Sequence, residues 1–189
     1  MIKRELYMNR IRPFIGGELI KVMTGIRRSG KSVMLELIKE ELAEAGVAPS
    51  QMISINFEDM RYSHLQTATA LHDEIIKRAE GIEGKAYLFF DEIQEVEGWE
   101  KCVNSLRVAL DCDIYITGSN AKLLSGELAT YIGGRYVEFV IYPFSFAEFL
   151  ELYHTIAPSD SIQQCFQKYL LAGGMPYLAN LRYEEEPSR

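Results

Sequence analysis

The sequence predicts an α/β fold, a three-layer sandwich around a central parallel sheet of about five strands. Three features point to it. Short apolar runs alternate along the chain with longer segments whose apolar residues recur in helical rhythm. One run, Ala86-Tyr87-Leu88-Phe89-Phe90, is apolar throughout, as a central strand covered on both faces must be, and it ends in Asp91-Glu92. Between the first strand-like run and the first helical segment lies Gly25-x-x-x-x-Gly30-Lys31-Ser32, a complete P-loop pattern.

The 189 residues suit one domain, or one domain and part of another. With 48% hydrophobic and 25% charged residues, the composition is that of a soluble globular protein with material for a core. A net charge of −7 argues against a surface that wraps duplex DNA, and so against direct nucleic-acid binding by this stretch of chain. Cys102, Cys112 and Cys165 are too few and too scattered for a disulfide framework or a zinc site; buried free thiols in a reducing compartment are expected. No apolar run reaches membrane-spanning length, and the opening MIKRELYMNRIRPF lacks a signal-peptide core. A cytoplasmic protein without membrane contact is the expectation.

Residues 1–18 mix basic and apolar positions, which predicts a short helix broken at Pro13, with Gly16-Gly17 turning into the first strand. This segment either lies near the base of a bound nucleotide or forms a loosely packed arm; its spacing does not decide. Leu19 to Thr24 read as the first strand. The loop after it can wrap phosphates with its backbone N–H groups, which makes Gly25, Arg28, Ser29, Gly30, Lys31, Ser32 and Val33 candidate nucleotide-binding residues. In this reading Lys31 reaches the β- and γ-phosphates and the Ser32 hydroxyl takes one place on a magnesium ion. Arg27 and Arg28 either add positive charge or are simply exposed. Val33, Met34, Leu35, Leu37, Ile38 and Leu42 set the rhythm of a helix whose N-terminus faces the phosphates.

After a turn at Gly46 to Pro49, Met52 to Phe57 read as the second strand. Glu58 and Asp59 at its end fit either a ligand cleft or a solvated turn. A helix is expected from about Thr67 to Glu80; His64 and His72 have no partner at metal spacing and are expected at or near the surface. The third strand ends in Asp91-Glu92, two acids that are costly to bury without a cation. Magnesium on a triphosphate supplies one. Asp91 is therefore the candidate metal ligand beside Ser32, and Glu92 the candidate residue that orients and polarises the attacking water. Acids opening a helix are the bland alternative. Trp99 is expected to anchor a helix running through Val103, Leu106, Val108 and Leu110 against the core.

The segments GIRRSGKS, NFED, LFFDEIQ, ITGSN, GGRY and PFSFAEF together resemble AAA+ ATPases, most of all a prokaryotic group that carries a C-terminal domain of unknown function after the ATPase core. The resemblance runs from about Ile2 to Tyr177. It implies ATP and Mg²⁺ as cofactors and an AAA+-like strand order, 5-1-4-3-2. It implies a polar sensor beside the γ-phosphate at the end of the strand Cys112 to Gly118. Asn120 matches that place with Ser119 as fallback, and a cap for the helix AKLLSGELATYI competes equally. It also implies an arginine finger before the last strand, Tyr136 to Ile141, reaching the γ-phosphate of a neighbouring subunit. Arg135 stands there and would make a homo-oligomer; pairing within its own chain is the alternative. Residues 1–142 are then the ATPase core. Residues 143–189 are the helical lid and the start of a truncated C-terminal region, with Ser145 and Glu148 as a capping box and a further helix over 160–172. Family members usually continue into an effector region, so this chain is expected to be a core without it, its effector partner unknown.

Residues and resemblance together imply magnesium-dependent hydrolysis of ATP to ADP and phosphate, with Glu92, Lys31, Asn120 and Arg135 as the catalytic set. No Asn-Lys-x-Asp pattern of GTPases occurs, so ATP is preferred. The alternatives are a nucleotide-gated switch with little hydrolysis and, ranked last, a small-molecule P-loop kinase.

Overall fold

Strands that must be covered on both faces pair most simply in parallel, with helices crossing over each face. The computed structural model, which describes residues 2–118, 123, 132–156 and 159–176, has that arrangement. The strands β1 (Ile20–Thr24), β2 (Met52–Asn56), β3 (Ala86–Asp91), β4 (Cys112–Thr117) and β5 (Tyr136–Val140) form one sheet in the order β2-β3-β4-β1-β5. Every neighbouring pair is parallel, and the order is the predicted 5-1-4-3-2. Six α-helices are described: α1 (Glu5–Ile11), α2 (Lys31–Glu44), α3 (Ala68–Ala79), α4 (Trp99–Ala109), α5 (Phe146–Ile156) and α6 (Ile162–Ala172).

The strand period of two splits the apolar residues between the faces. Leu88 and Phe90 of β3 join Val22, Ile55, Ile114 and Ile116 in a core under α3 and α4. Phe89 points the other way, with Met23, Tyr115 and Phe139, into a core under α1 and α2. Each large side chain buried in this way contributes about 1.5–3 kcal/mol. Trp99 is buried at the start of α4, as expected, but Val108 is 86% exposed. It lies about 200° round the helix from Leu106, outside the buried stripe of Cys102, Val103 and Leu106. The N-terminal segment forms α1 and then a turn of 3₁₀ helix over Arg12–Phe14, with Pro13 where the sequence places the break. It is no loose arm, because Tyr7, Met8 and Ile11 pack into the α2-side core. Cys102 and Cys165 are buried and Cys112 half-buried, all free. Burial pushes the Cys102 thiol up to about 12 and that of Cys112 up to about 11, so both are protonated at neutral pH. His64 is exposed, and half-buried His72 meets the Ser105 hydroxyl at 3.1 Å.

One ion pair is set into the sheet itself. Lys21 on β1 and Asp113 on β4 are both fully buried and bonded to each other. Lys21 Nζ also donates to the Gly17 carbonyl (3.2 Å), while Asp113 accepts from the Gly16 N–H (2.7 Å) and the Tyr115 hydroxyl (2.6 Å). The pair thereby fastens the Gly16-Gly17 turn that feeds β1. Burial draws the Lys21 ammonium below its ordinary 10.5 even with Asp113 beside it. Replacing Lys21 by Met strands a buried carboxylate and should cost about 3–5 kcal/mol in urea unfolding, with part of that loss recovered in Lys21→Met/Asp113→Leu. A single variant as stable as wild type contradicts this.

Helices α5 and α6 enclose a third core of Ile2, Phe144, Phe149, Tyr153 and Cys165. The predicted capping box opens α5: the Ser145 N–H donates to Glu148 Oε2 at 2.9 Å, and the Glu148 N–H to Ser145 Oγ at 3.3 Å. A second box, Ser161 with Gln164, opens α6. Burial alone would raise Glu148, but hydrogen bonds from the Arg4 side chain and the Ser145 backbone hold its carboxyl below the ordinary 4.5. A carboxyl depressed by folding adds stability that is complete above its unfolded value and is lost as pH falls through the folded one. The stability advantage of wild type over Glu148→Gln in urea unfolding is therefore expected in full at pH 7 and should be lost as pH falls through the depressed value of the folded carboxyl. An advantage that persists undiminished below that value contradicts the assignment.

Candidate nucleotide-binding site

Because all five strands run the same way, their C-terminal ends share one edge of the sheet, and the chain leaves β1 there. The Ile141 N–H holds the Thr24 carbonyl at 2.7 Å. Gly25 follows at φ 147°, where a Cβ would stand 2.2 Å from the Ile141 carbonyl oxygen, so only glycine fits. The loop closes through the Ser29 N–H to the Ile26 carbonyl (3.2 Å). Gly30, at φ 99°, then turns the chain into α2 with Lys31 as its first residue.

The start of α2 opens onto a cavity of about 480 Å³, large enough for a small-molecule ligand. Arg28, Gly30, Lys31, Ser32 and Val33 line it on the loop side, and Glu58, Glu92 and Pro176 face them. A helix N-terminus leaves its first N–H groups unpaired and carries partial positive charge, which favours an anion. Lys31 is 4% exposed. Its Nζ lies 3.4 Å from the Gly25 and Ile26 carbonyls and 3.4 Å from Glu92 Oε1.

Three strand ends build the acidic side. Asp91, 6% exposed, accepts a hydrogen bond from Thr117 Oγ1 on β4 and one from Asn56 Nδ2 on β2 at 3.1 Å. Both partners are neutral hydrogen-bond donors. Carboxylate and hydroxyl are the hard oxygen donors magnesium prefers, so Asp91 and Ser32 fit that ion. Glu92 leaves the strand at φ 55°, a left-handed conformation that costs a non-glycine residue roughly 1–3 kcal/mol. Its N–H donates to Thr117 Oγ1 (3.0 Å), and Gln94 Nε2 donates to its Oε2 (2.6 Å). Ser29 Oγ and Gln94 Oε1 are buried without a partner among the described residues.

The remaining candidates lie elsewhere. Asn120 and Ser119 fall outside the described residues. Arg135 is exposed and donates to Asn104 Oδ1 on α4 at 2.9 Å. The β1–β5 register pairs Ile20 with Tyr136 and Thr24 with Val140, which puts Arg135 at the sheet edge opposite the loop. Of the two acids after β2, Glu58 reaches the cavity and pairs with Arg27 at 3.3 Å, while Asp59 caps the 3₁₀ turn at Met60–Leu65. Thr117, Asn56, Gln94 and Arg4 went unread in the sequence. Thr117 and Asn56 had a signal, since each is a polar residue one place before the end of a predicted strand; Arg4 had none.

Residues 18–150 match the family described as an AAA domain. An uncharacterized protein of Haemophilus influenzae is 44% identical over 176 residues, 93% of this chain and 44% of that protein. Another, from Methanocaldococcus jannaschii, is 36% identical over 166 residues, 83% of this chain and 35% of that protein. The chain thus spans less than half the length of either relative. A RuvB structure from Thermotoga maritima shares the fold, with a TM-score of 0.62 over 94% of this chain and 59% of that one at 15% identity. The family match over 18–150 covers well over half of the residues, and the chain belongs to the AAA domain family, with an AAA+ P-loop fold.

Proposed function

We propose that this domain binds ATP with magnesium and hydrolyses it to ADP and phosphate. The observation that carries the reading is the convergence of Lys31 and Glu92, 3.4 Å apart, with buried Asp91 next in sequence, at the mouth of one cavity. A triphosphate enters over the N-terminus of α2, with the backbone from Gly25 to Val33 around its phosphates. Lys31 exchanges Glu92 for phosphate oxygens. Glu92, released, accepts a proton from the water that attacks the γ-phosphorus, and ADP leaves with the bridging oxygen. Ser32 and Asp91 would hold the magnesium ion, which when bound offsets charge on the β- and γ-phosphates. Asn120 is assigned to the attacking water or the γ-phosphate.

In the same reading residues 1–142 are the ATPase core and residues 143–189 a helical lid and the start of a further region. The greater length of the relatives supports an effector region to which nucleotide state is passed. The net charge of −7 argues against direct nucleic-acid binding by this stretch, and a cytoplasmic location suits the free thiols.

Glu92→Gln should lower ATP turnover at least about 100-fold while leaving ATP affinity within a few-fold of wild type, and Lys31→Ala should lose affinity as well. Wild type that binds ATP without measurable turnover would make the domain a nucleotide-gated switch. Arg135, turned away from its own loop, is assigned to a neighbour's γ-phosphate in a homo-oligomer. Arg135→Ala should then cut turnover per site about 10³-fold, and only at concentrations where wild type assembles. Turnover unchanged across all concentrations contradicts that role.

A further inference from the structure

Arg4 is 2% exposed, and every nitrogen of its guanidinium is engaged. Nε donates to Glu148 Oε1 at 2.8 Å, and Nη2 reaches the other carboxylate oxygen at 3.5 Å. Nη1 donates to the Ser29 carbonyl (2.9 Å) and Nη2 to the Tyr142 carbonyl (2.8 Å). Its carbon lies 4.6 Å from the centre of the Tyr7 ring and 5.1 Å from that of Phe144. One side chain thus joins the phosphate loop, the segment leaving β5 and the first turn of α5.

The loop contact bears on phosphate binding. A trans peptide sets its C=O and N–H in opposite directions. Holding the Ser29 carbonyl therefore turns the Gly30 N–H away from Arg4, and Gly30 borders the cavity. The fit is close, since a Cβ on Gly30 would come 3.1 Å from Arg4 Nη1. On the other side, the Phe144 N–H donates to the Gly174 carbonyl (2.6 Å) and the Tyr169 hydroxyl to the Phe144 carbonyl (2.9 Å). Those bonds fix the segment that brings Pro176 to the cavity wall.

We infer that Arg4 is a positioning residue that locks the phosphate loop to α5 and α6, so that nucleotide in the cavity is transmitted to those two helices. This rests on the nucleotide binding proposed above. Arginine suits the task because its planar fork serves a carboxylate and two carbonyls at once while stacking on rings; a lysine offers one point of charge.

The test uses the full chain and Mg-ADP, with affinity measured by calorimetry and amide exchange followed over 146–156 and 162–172. In wild type, Mg-ADP should slow exchange in both helices. Arg4→Lys should weaken Mg-ADP about tenfold or more and abolish that slowing. Glu148→Gln, which keeps a side chain able to form the capping box and leaves the loop untouched, should abolish the slowing with affinity within about threefold of wild type. If both variants keep wild-type affinity and wild-type slowing, even at a lowered melting temperature, Arg4 is only a fold anchor and the inference fails. It fails equally if wild type binds Mg-ADP without any change in α5 and α6. Wild type that does not bind Mg-ADP at all removes the nucleotide reading itself, a distinct result.

Discussion

A buried ammonium needs an anion, and the one Lys31 finds is the carboxylate that the proposed chemistry needs for water. Lys31 is 4% exposed and Glu92 18%, at a separation of 3.4 Å. Burying the Lys31 ammonium without an anion would be costly, and Glu92 supplies the opposite charge. The parallel sheet makes the meeting possible. With β4 between β1 and β3, the loop after β1 and the acids after β3 open on the same edge with one strand's width to span. Thr117, at the end of that intervening strand, bonds both the Asp91 carboxylate and the Glu92 backbone. The charged edge is therefore organised by the protein's own bonds, and a phosphate chain with its metal carries the complementary charges.

How far the sequence shows this depends on how local the cause is. The P-loop glycines, Lys31 and Asp91-Glu92 were legible because each sits in a short pattern whose flanks announce strand or helix. Gly25 illustrates why such a pattern is rigid: its constraint is the Ile141 carbonyl, which any Cβ would strike. The capping box at Ser145 and Glu148 was legible for the same reason, being closed within one turn. Arg4 was not, since its partners stand 25, 138 and 144 residues away and nothing in its neighbours hints at them. The Lys21–Asp113 pair was hidden similarly, as two charges inside runs that read as apolar strands. Val108 marks a limit of periodicity: it is an apolar residue within a helical segment, yet its angular position leaves it in solvent.

The two helices after β5 have their own core and are tied back to the loop through Arg4. Such a tie offers a route from the proposed phosphate site to α5 and α6. The route is short and physical: a loop carbonyl, a guanidinium, a carboxylate at a helix start.

The most direct measurement is a crystal structure with Mg²⁺ and a non-hydrolysable ATP analogue. The account predicts a triphosphate over the N-terminus of α2, Lys31 Nζ within hydrogen-bonding distance of its oxygens, and Glu92 parted from Lys31. A structure in which Lys31 keeps Glu92 and the nucleotide lies outside this cavity would contradict it.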